Sequence, residues 1–282
     1  MKNRLKTVLL LGALTGILVG IGAALGGSFL HASVALAALL NLGAWFFSDR
    51  IVLALSHARE LPPDEAPRLH AMVAELAHQA AIPKPRVYWT PDLQPNAFAT
   101  GRSPTNAVVA VTAGILRLLD ERELRAVLAH EISHVRNRDV LVSSIAATLA
   151  AAVTWLAHLA GWFGGSRDDE HGASPLQTLL LALTAPIAAT LLQLGISRSR
   201  EYLADQSGAG LSGDPEGLAR ALEKLHAGAS RLPAHADPAT ASLFIVNPLA
   251  GRGGILSLFS THPPIGERVR RLRQMELGHA HG

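Results

Sequence analysis

The amino-terminal part of the chain contains a stretch, residues 7–30, in which no side chain is charged. As a helix rising about 1.5 Å per residue, this stretch is longer than the hydrocarbon core of a bilayer, which is roughly 30 Å thick. Basic residues precede it. A second apolar stretch, residues 32–47, follows almost at once, and it reaches the length of a span if it continues to Leu55. Together the two stretches predict a helical membrane hairpin.

A cleaved signal peptide is the alternative, because it also combines a basic start with an apolar core. The core of a signal peptide is usually about 7–15 residues long, and residues 7–30 exceed that length. The second apolar stretch also adjoins the first. We therefore expect a hairpin that stays in the mature protein.

Two further apolar stretches occupy residues 140–163 and 176–196 and are separated by a polar loop. Arg136 precedes the first, and Arg198 follows the second. Because basic residues beside membrane spans face the cytoplasm, we expect four spans with every long segment on the cytoplasmic side. A buried helical pair inside a soluble domain is the alternative, since hydropathy does not distinguish the two.

Composition narrows the class of protein. Hydrophobic residues make up 49% of the chain, but aromatic residues make up only 5%, which is closer to lipid-facing helices than to a dense soluble core. The net charge is only +3 and the basic residues form no single run, so nucleic acid is not an expected partner. The chain has no cysteine, which excludes disulfide bonds and thiolate metal ligands.

The segment between the two pairs of apolar stretches has the pattern of a small folded domain. The sequence Pro-Pro-Asp at residues 62–64 predicts the start of a helix that runs to about residue 81. Short strands are predicted at residues 86–90, 97–100 and 107–111. Turn residues between the last two strands predict a β-hairpin.

A metal-binding motif follows on the next predicted helix. Asp120 and Glu123 form a capping-box pattern at its start, and the helix continues into His130, Glu131 and His134. Histidines four apart share one helix face, so both imidazoles can reach one zinc ion. Glu131, offset by one residue, can take a proton from the attacking water without binding the metal. A coincidental match and a structural histidine pair are the alternatives.

A catalytic zinc site needs a third protein ligand. A third histidine is excluded, because Asn137 and Val140 occupy the Gly and His places of the extended motif. Glu201 and Asp205 lie four apart on a later helix, so Glu201 can bind the metal while Asp205 accepts a hydrogen bond from a ligating histidine. A solvated Glu201 paired with Arg198 or Arg200 is the alternative. One Zn²⁺ per chain is expected.

Four segments of the chain read HEISH, REYLAD, NAFATG and THPPIGER. In this combination the sequence resembles the HtpX family of bacterial membrane zinc endopeptidases, which is related to the CAAX prenyl proteases, over essentially the whole chain. The resemblance implies that Glu201 is the third zinc ligand and that Asp205 supports the site. It also implies a multi-pass protein of the bacterial cytoplasmic (inner) membrane with its catalytic domain in the cytoplasm.

The resemblance further implies a strand beside the active site. We expect substrates to pair with it as an extended strand along Asn96, Ala97, Phe98, Ala99 and Thr100. In the related prenyl proteases a His and an Arg spaced like His262 and Arg268 are candidate donors to the oxyanion. The alternative is a helix-entry turn in which Arg268 pairs with a neighbouring acid.

The expected fold class is α+β: a multi-span helical membrane protein with a mostly helical zinc peptidase domain of the gluzincin type that carries a small β-sheet. The expected parts are an amino-terminal hairpin, the first part of the peptidase domain, a second hairpin, the second part of the peptidase domain, and a disordered tail. They occupy residues 1–56, 57–139, 140–196, 197–276 and 277–282.

The function expected from these features is zinc-dependent hydrolysis of peptide bonds in membrane proteins at the cytoplasmic face, with Glu131 as general base. The resemblance implies a role in clearing damaged or misfolded membrane proteins. A processing enzyme of narrow specificity and an inactive scaffold with structural zinc are the alternatives. The expected partners are peptide or membrane-protein substrates and the lipid bilayer, and assembly into a homo-oligomer is left open.

Overall fold

The computed structural model describes residues 2–25, 27–150, 198–231, 244–246 and 263–279. Its helices are α1 (Lys2–Leu25), α2 (Gly27–Leu55), α3 (Pro67–Gln79), α4 (Ala113–Leu118), α5 (Glu121–Arg136), α6 (Val140–Ala150), α7 (Arg198–Ser212), α8 (Pro215–Arg231) and α9 (Ile265–His279). Its strands are β1 (Arg59–Glu60), β2 (Arg86–Thr90), β3 (Ala97–Gly101) and β4 (Ala107–Thr112).

Helices α1 and α2 form the amino-terminal hairpin. The first is described as far as Leu25 and the second from Gly27 onwards, whereas the apolar pattern placed the division near residue 31. The Asn41 side chain donates hydrogen bonds to Thr15 Oγ1 at 2.7 Å and to the Leu11 carbonyl at 3.4 Å. These bonds join the two helices across their shared face.

Within the described residues, one helical segment is long and apolar enough to cross a membrane. It is Leu30–Leu55, and only 11% of its apolar window is buried within the protein, as expected of a helix that faces lipid. The continuation of the second apolar stretch to Leu55 is therefore confirmed. Thr7–Gly20 and Val140–Ala150 are shorter apolar helical segments. The remainder of the second hairpin, residues 151–197, lies outside the described residues, so the four-span topology stays a prediction.

Helix α3 begins later than the sequence predicted. Its first residue is Pro67, and Ala66 before it has an extended φ of −144°. A residue that precedes proline is kept out of the helical region by the proline ring, while proline itself is favoured at the first helical position. The predicted start at residues 62–64 was therefore wrong, and those residues lie before the helix.

The small β-sheet is mixed, with strand order β1-β2-β4-β3. Strands β3 and β4 pair antiparallel from Ala97 opposite Val111 to Gly101 opposite Ala107, which confirms the predicted hairpin. Strand β2 pairs with β4 in parallel. Among the residues that the structure describes, β3 pairs with β4 alone, so it is an outer strand of the sheet.

The two faces of the sheet pack against different helices. Val109 and Val111 belong to a core shared with α3, α5 and α8. Val108 and Ala110, on the opposite face, belong to a second core shared with α1, α2 and α6. This alternation follows from the two-residue period of a strand. The sheet therefore lies between the helices of the metal site and the apolar hairpin.

Helices α5 and α7 approach each other closely at Gly208. A Cβ added to Gly208 would lie 2.7 Å from the Cα and 2.8 Å from the backbone nitrogen of His130. Only glycine fits there without moving a backbone. A Cβ added to Gly210 on the same helix would meet nothing within 4 Å.

Gly208→Ala should therefore push α7 away from α5 and lower the melting temperature of the purified protein in detergent. The free energy of unfolding should fall by about 1–3 kcal/mol. Gly210→Ala is the matched control. It should leave the free energy of unfolding unchanged or raise it by up to about 1 kcal/mol, because alanine has a higher helix propensity than glycine. Equal melting temperatures for Gly208→Ala and the wild type would contradict the close packing.

Candidate metal centre

Helix α5 carries the motif residues into the interior. Its start is fixed by a capping box: the Glu123 amide donates to Asp120 Oδ1 at 2.9 Å, and the Asp120 amide donates to Glu123 Oε2 at 3.1 Å. The predicted capping box is thus present. His130 and Glu131 are both buried, with exposed fractions of 1% and 5%.

The structure brings His130, His134 and Glu201 together as a group that could hold a metal ion. The Nε2 atoms of the two histidines are 3.2 Å apart. Glu201 Oε1 is 3.6 Å from the Nε2 of His134, and Glu201 Oε2 is 3.9 Å from the Nε2 of His130. In a tetrahedral zinc site with bonds of about 2.0–2.1 Å, ligand atoms are about 3.3–3.4 Å apart. The three side chains therefore fit zinc with only small adjustments.

A carboxylate lies beside the other ring nitrogen of each histidine. His130 Nδ1 is 3.0 Å from Asp205 Oδ1, and His134 Nδ1 is 3.4 Å from Asp139 Oδ2. A carboxylate that accepts the Nδ1 proton leaves the Nε2 lone pair for a metal and fixes the orientation of the ring. The structure thus places Asp205 where the sequence predicted its partner role.

Asp139 is a site residue that the sequence analysis missed. It lies beyond the end of α5, where the chain turns at Asn137 and Arg138, and its amide donates to the His134 carbonyl at 3.0 Å. Helical spacing does not extend through a turn, so no periodic rule pointed to this residue. A carboxylate just past the last turn of the motif helix was the only available signal.

Arg268, the predicted oxyanion donor, pairs with an acid inside the protein, and its oxyanion role stays a prediction. It is fully buried, and its Nε and Nη2 donate to Asp205 Oδ2 and Oδ1 at 2.8 and 2.6 Å. Its Nη1 donates to the Ile245 carbonyl at 2.9 Å. The guanidinium group is thus committed to internal acceptors, as in the alternative in which Arg268 pairs with an acid. His262, its predicted companion, lies outside the described residues.

Asn96 also forms its hydrogen bonds with groups inside the protein. Its side-chain oxygen accepts a hydrogen bond from the Ile245 backbone amide at 3.1 Å, and the backbone amide of Asn96 donates to Thr112 Oγ1 at 2.9 Å. Because the Ile245 carbonyl receives Arg268, Asn96 helps to hold the segment against which Arg268 is fixed. The Asn96 side chain thus has a structural role, and the pairing of a substrate with the backbone at Asn96 stays a prediction.

The remaining residues of the predicted substrate strand lie in β3 and are also buried. The exposed fractions of Ala97, Phe98, Ala99 and Thr100 are 0%, 4%, 7% and 0%. Ala99 is the most exposed of these four residues and interacts through its backbone with Glu131. The outer strand and the motif glutamate therefore adjoin, and the pairing of a substrate with this strand stays a prediction.

Burial and neighbouring charges set the protonation of the site. Burial raises the pKa of the Glu131 carboxyl to about 7. Burial would also raise the pKa of Asp205, but the charge and hydrogen bonds of Arg268 hold it at about 2. For His134, burial is outweighed by the hydrogen bond to Asp139 and the charge of Glu201, so its pKa rises to about 9. A metal ion must therefore displace a proton from His134 on binding.

Comparison with known proteins identifies the family. The sequence model described as peptidase family M48 matches residues 63–276, well over half of the chain. This chain is a member of peptidase family M48. The matched residues include both histidines of the motif and Glu201, so the M48 chain is a metalloprotease whose histidine–histidine–glutamate group can hold the metal.

Curated relatives of the M48 chain confirm the resemblance to HtpX. A "Protease HtpX homolog" from Syntrophobacter fumaroxidans is 54% identical and covers 98% of this chain and 100% of the relative. Homologues of the same description from Persephonella marina and Burkholderia thailandensis are 52% and 48% identical, covering 97% and 98% of this chain and the same shares of their own. A crystal structure of S. mikatae Ste24p matches 96% of this chain and 65% of that chain, with a TM-score of 0.49 and 19% identity.

Replacing the carboxylate ligand should reduce metal binding. Because an amide is a poor zinc ligand, Glu201→Gln should lower the zinc content per chain after dialysis, and excess zinc should partly restore it. Glu223→Gln is the matched control, since Glu223 is exposed and paired with Arg273 at the surface. Full zinc retention by Glu201→Gln would remove Glu201 from the ligand set.

Removing the buried guanidinium of Arg268 should lower the stability of the protein. Arg268→Ala leaves the buried Asp205 carboxylate without its cationic partner, and breaking such a pair costs about 3–5 kcal/mol. Chemical denaturation should show this loss, whereas Arg270→Ala, an exposed arginine on the same helix, should have little effect. Wild-type stability of Arg268→Ala combined with a lower kcat would instead support the oxyanion role.

Proposed function

We propose that this chain is a zinc endopeptidase of the bacterial cytoplasmic membrane that hydrolyses membrane proteins at the cytoplasmic face. The observation that carries the proposal is the group of three ligand atoms, 3.2–3.9 Å apart, with the buried Glu131 on the same helix as two of them. Peptidase chemistry at a metal is common to family M48. The proposal adds three statements to this shared chemistry: the identity of the metal, the membrane location and the substrate class.

The ligand set favours zinc in a catalytic site. Two imidazole nitrogens and one carboxylate oxygen are typical zinc ligands, and three protein ligands leave one position of a tetrahedral site open. Among the described residues the group consists of His130, His134 and Glu201. When bound, zinc would polarise the scissile carbonyl and lower the pKa of the attacking water.

Glu131 is the residue proposed to move the proton. Its position on α5, one residue after His130, places its carboxylate beside the metal ligands without making it one of them. It accepts a proton from the attacking water and delivers it to the leaving amine. Asp205, held by Arg268, keeps the His130 ring in place during this exchange.

The outer strand β3 is the proposed substrate platform. Main-chain pairing along β3 would place a peptide bond beside Glu131, because the backbone of Ala99 adjoins that carboxylate. Pairing of this kind depends little on side chains and suits many sequences.

The position of the site relative to the apolar helices supports membrane substrates. Helix α6 begins four residues after the end of α5, and α2 and α6 share one core with the sheet. The site therefore lies next to the segments proposed to enter the bilayer. The basic residues beside these segments support a cytoplasmic location. The resemblance to HtpX supports a role in removing damaged or misfolded membrane proteins.

Glu131→Gln separates chemistry from metal binding. The amide cannot accept the water proton, so cleavage should fall by roughly two to four orders of magnitude while zinc content stays at the wild-type value. Glu121→Gln, an exposed position on the same helix, is the control and should cleave normally. Zinc content and cleavage should be measured on the same detergent-solubilised samples, with a membrane protein destabilised in its cytoplasmic segment as substrate.

Two outcomes would contradict the proposal. Normal cleavage by Glu131→Gln would exclude this residue as the base. Cleavage restricted to one peptide sequence, with no cleavage of destabilised membrane proteins, would favour a processing enzyme of narrow specificity over quality control.

A further inference from the structure

A second cavity lies at the end of the candidate span, on the opposite face of the sheet from the metal site. Its volume is about 790 Å³. It is lined by the last turns of α2 and by one end of the sheet. Three arginines, Arg50, Arg86 and Arg102, contribute to the lining. The peptidase chemistry described above uses none of them.

The fold brings these arginines together from three separate segments. Arg50 is in α2, Arg86 is the first residue of β2, and Arg102 follows the last residue of β3. Arg86 and Thr100 both lie opposite Val108 of β4, so the start of β2 and the end of β3 meet at the same end of the sheet. Strand β1 follows α2 and pairs with β2, which holds the end of α2 beside this corner.

Among the described residues, none of these three guanidinium groups forms an ion pair with a carboxylate. Arg50 lies over the ring of Phe47 at 5.8 Å, and Arg102 lies over the ring of Phe46 at 5.9 Å. Arg86 donates to the Tyr88 hydroxyl at 3.2 Å. The cavity lining contains one carboxylate, Asp49, against three guanidinium groups. The lining is therefore net positive and offers several N–H donors to an anion.

The neighbouring aromatic side chains indicate the level of the bilayer surface. Trp45, Phe46 and Phe47 are 41%, 47% and 49% exposed, and the charged residues Asp49 and Arg50 follow them in the sequence. Aromatic residues followed by charged ones mark the boundary between hydrocarbon and water. The helical segment Leu30–Leu55 is about 39 Å long at 1.5 Å per residue, so its last turns extend beyond a core of roughly 30 Å.

We propose that this cavity binds the phosphate headgroup of an anionic phospholipid at the bilayer surface. Arg50, Arg86 and Arg102 would donate hydrogen bonds to the phosphate, since arginine suits phosphate geometry. The exposed rings of Phe46 and Phe47 would contact the upper part of the acyl chains. The excess of arginine over carboxylate favours an anionic lipid over a zwitterionic one. The site rests on the membrane location of α2 proposed above.

The test uses the full-length protein in detergent micelles, with phosphatidylglycerol as the anionic probe. Phosphatidylcholine with the same acyl chains and inorganic phosphate are the comparison ligands. Native mass spectrometry counts bound lipid, and the melting temperature reports stabilisation by ligand. Wild-type protein should bind phosphatidylglycerol more tightly than phosphatidylcholine, with an affinity that falls as salt rises.

The decisive comparison is between two double variants that remove equal charge. Arg86→Gln with Arg102→Gln should weaken phosphatidylglycerol binding by about tenfold or more. Arg68→Gln with Arg117→Gln, at exposed positions that do not line the cavity, should bind like the wild type. Should the first pair lower the stability of the lipid-free protein, Arg102→Gln alone, outside every strand, gives the same comparison.

Several results would overturn the lipid site. Equal binding by the two double variants would show that only overall charge matters. Equal affinity for the two lipids would exclude recognition of an anionic headgroup, and equal stabilisation by inorganic phosphate would exclude a lipid as the preferred ligand. Zinc content and cleavage measured on the same samples keep the two proposals separate. Lost lipid binding with normal cleavage concerns this cavity, and lost cleavage with normal lipid binding concerns the metal site.

Discussion

The buried ion pair between Asp205 and Arg268 is the interaction on which the metal site depends. Arg268 has no exposed surface, and it donates two hydrogen bonds to Asp205 and one to the Ile245 carbonyl. A charge of either sign at this depth would be costly alone, so each group requires the other. Asp205 also adjoins the Nδ1 atom of His130. One pair therefore joins α5, α7, α9 and the segment at residues 244–246, and the orientation of a metal ligand follows from it.

The spacing along α7 explains how one helix serves both the metal and the packing. Glu201, Asp205 and Gly208 are separated by four and three residues, so they share the face that meets α5. Gly208 lets that face approach the backbone of His130. At this distance Glu201 reaches the histidine Nε2 atoms, and Asp205 reaches the opposite side of the His130 ring. The same face of α7 therefore determines both its packing against α5 and the positions of Glu201 and Asp205.

The sheet connects the site to the apolar helices. Thr100 of β3 and Ser144 of α6 share a hydrogen bond of 2.7 Å, and Ser144 also donates to the Val140 carbonyl. The strand that adjoins Glu131 on one side is thus tied to an apolar helix on the other. In this arrangement the group of metal-ligating side chains and the cavity lined by Arg50, Arg86 and Arg102 lie on opposite faces of one small sheet.

Local patterns determined much of this architecture. The apolar stretches predicted the hairpin, the capping pattern of Asp120 predicted the start of α5, and alternation with turn residues predicted the pairing of β3 and β4. Helical spacing placed His130 and His134 on one face, and the same rule coupled Glu201 to Asp205. Each of these features involves residues that are close in sequence, where the period of a helix or strand fixes which side chains face the same way.

Tertiary structure decided the contacts between residues that are distant in sequence. Arg268 pairs with an acid 63 positions earlier, and Asn96 accepts a hydrogen bond from an amide 149 positions later. Asp139 reaches His134 through a turn, where helical spacing no longer applies. The sequence shows that a buried arginine or asparagine needs a partner, but not which one. The choice depends on how whole helices pack, because a buried polar group bonds to whichever complementary group the fold brings within about 3 Å.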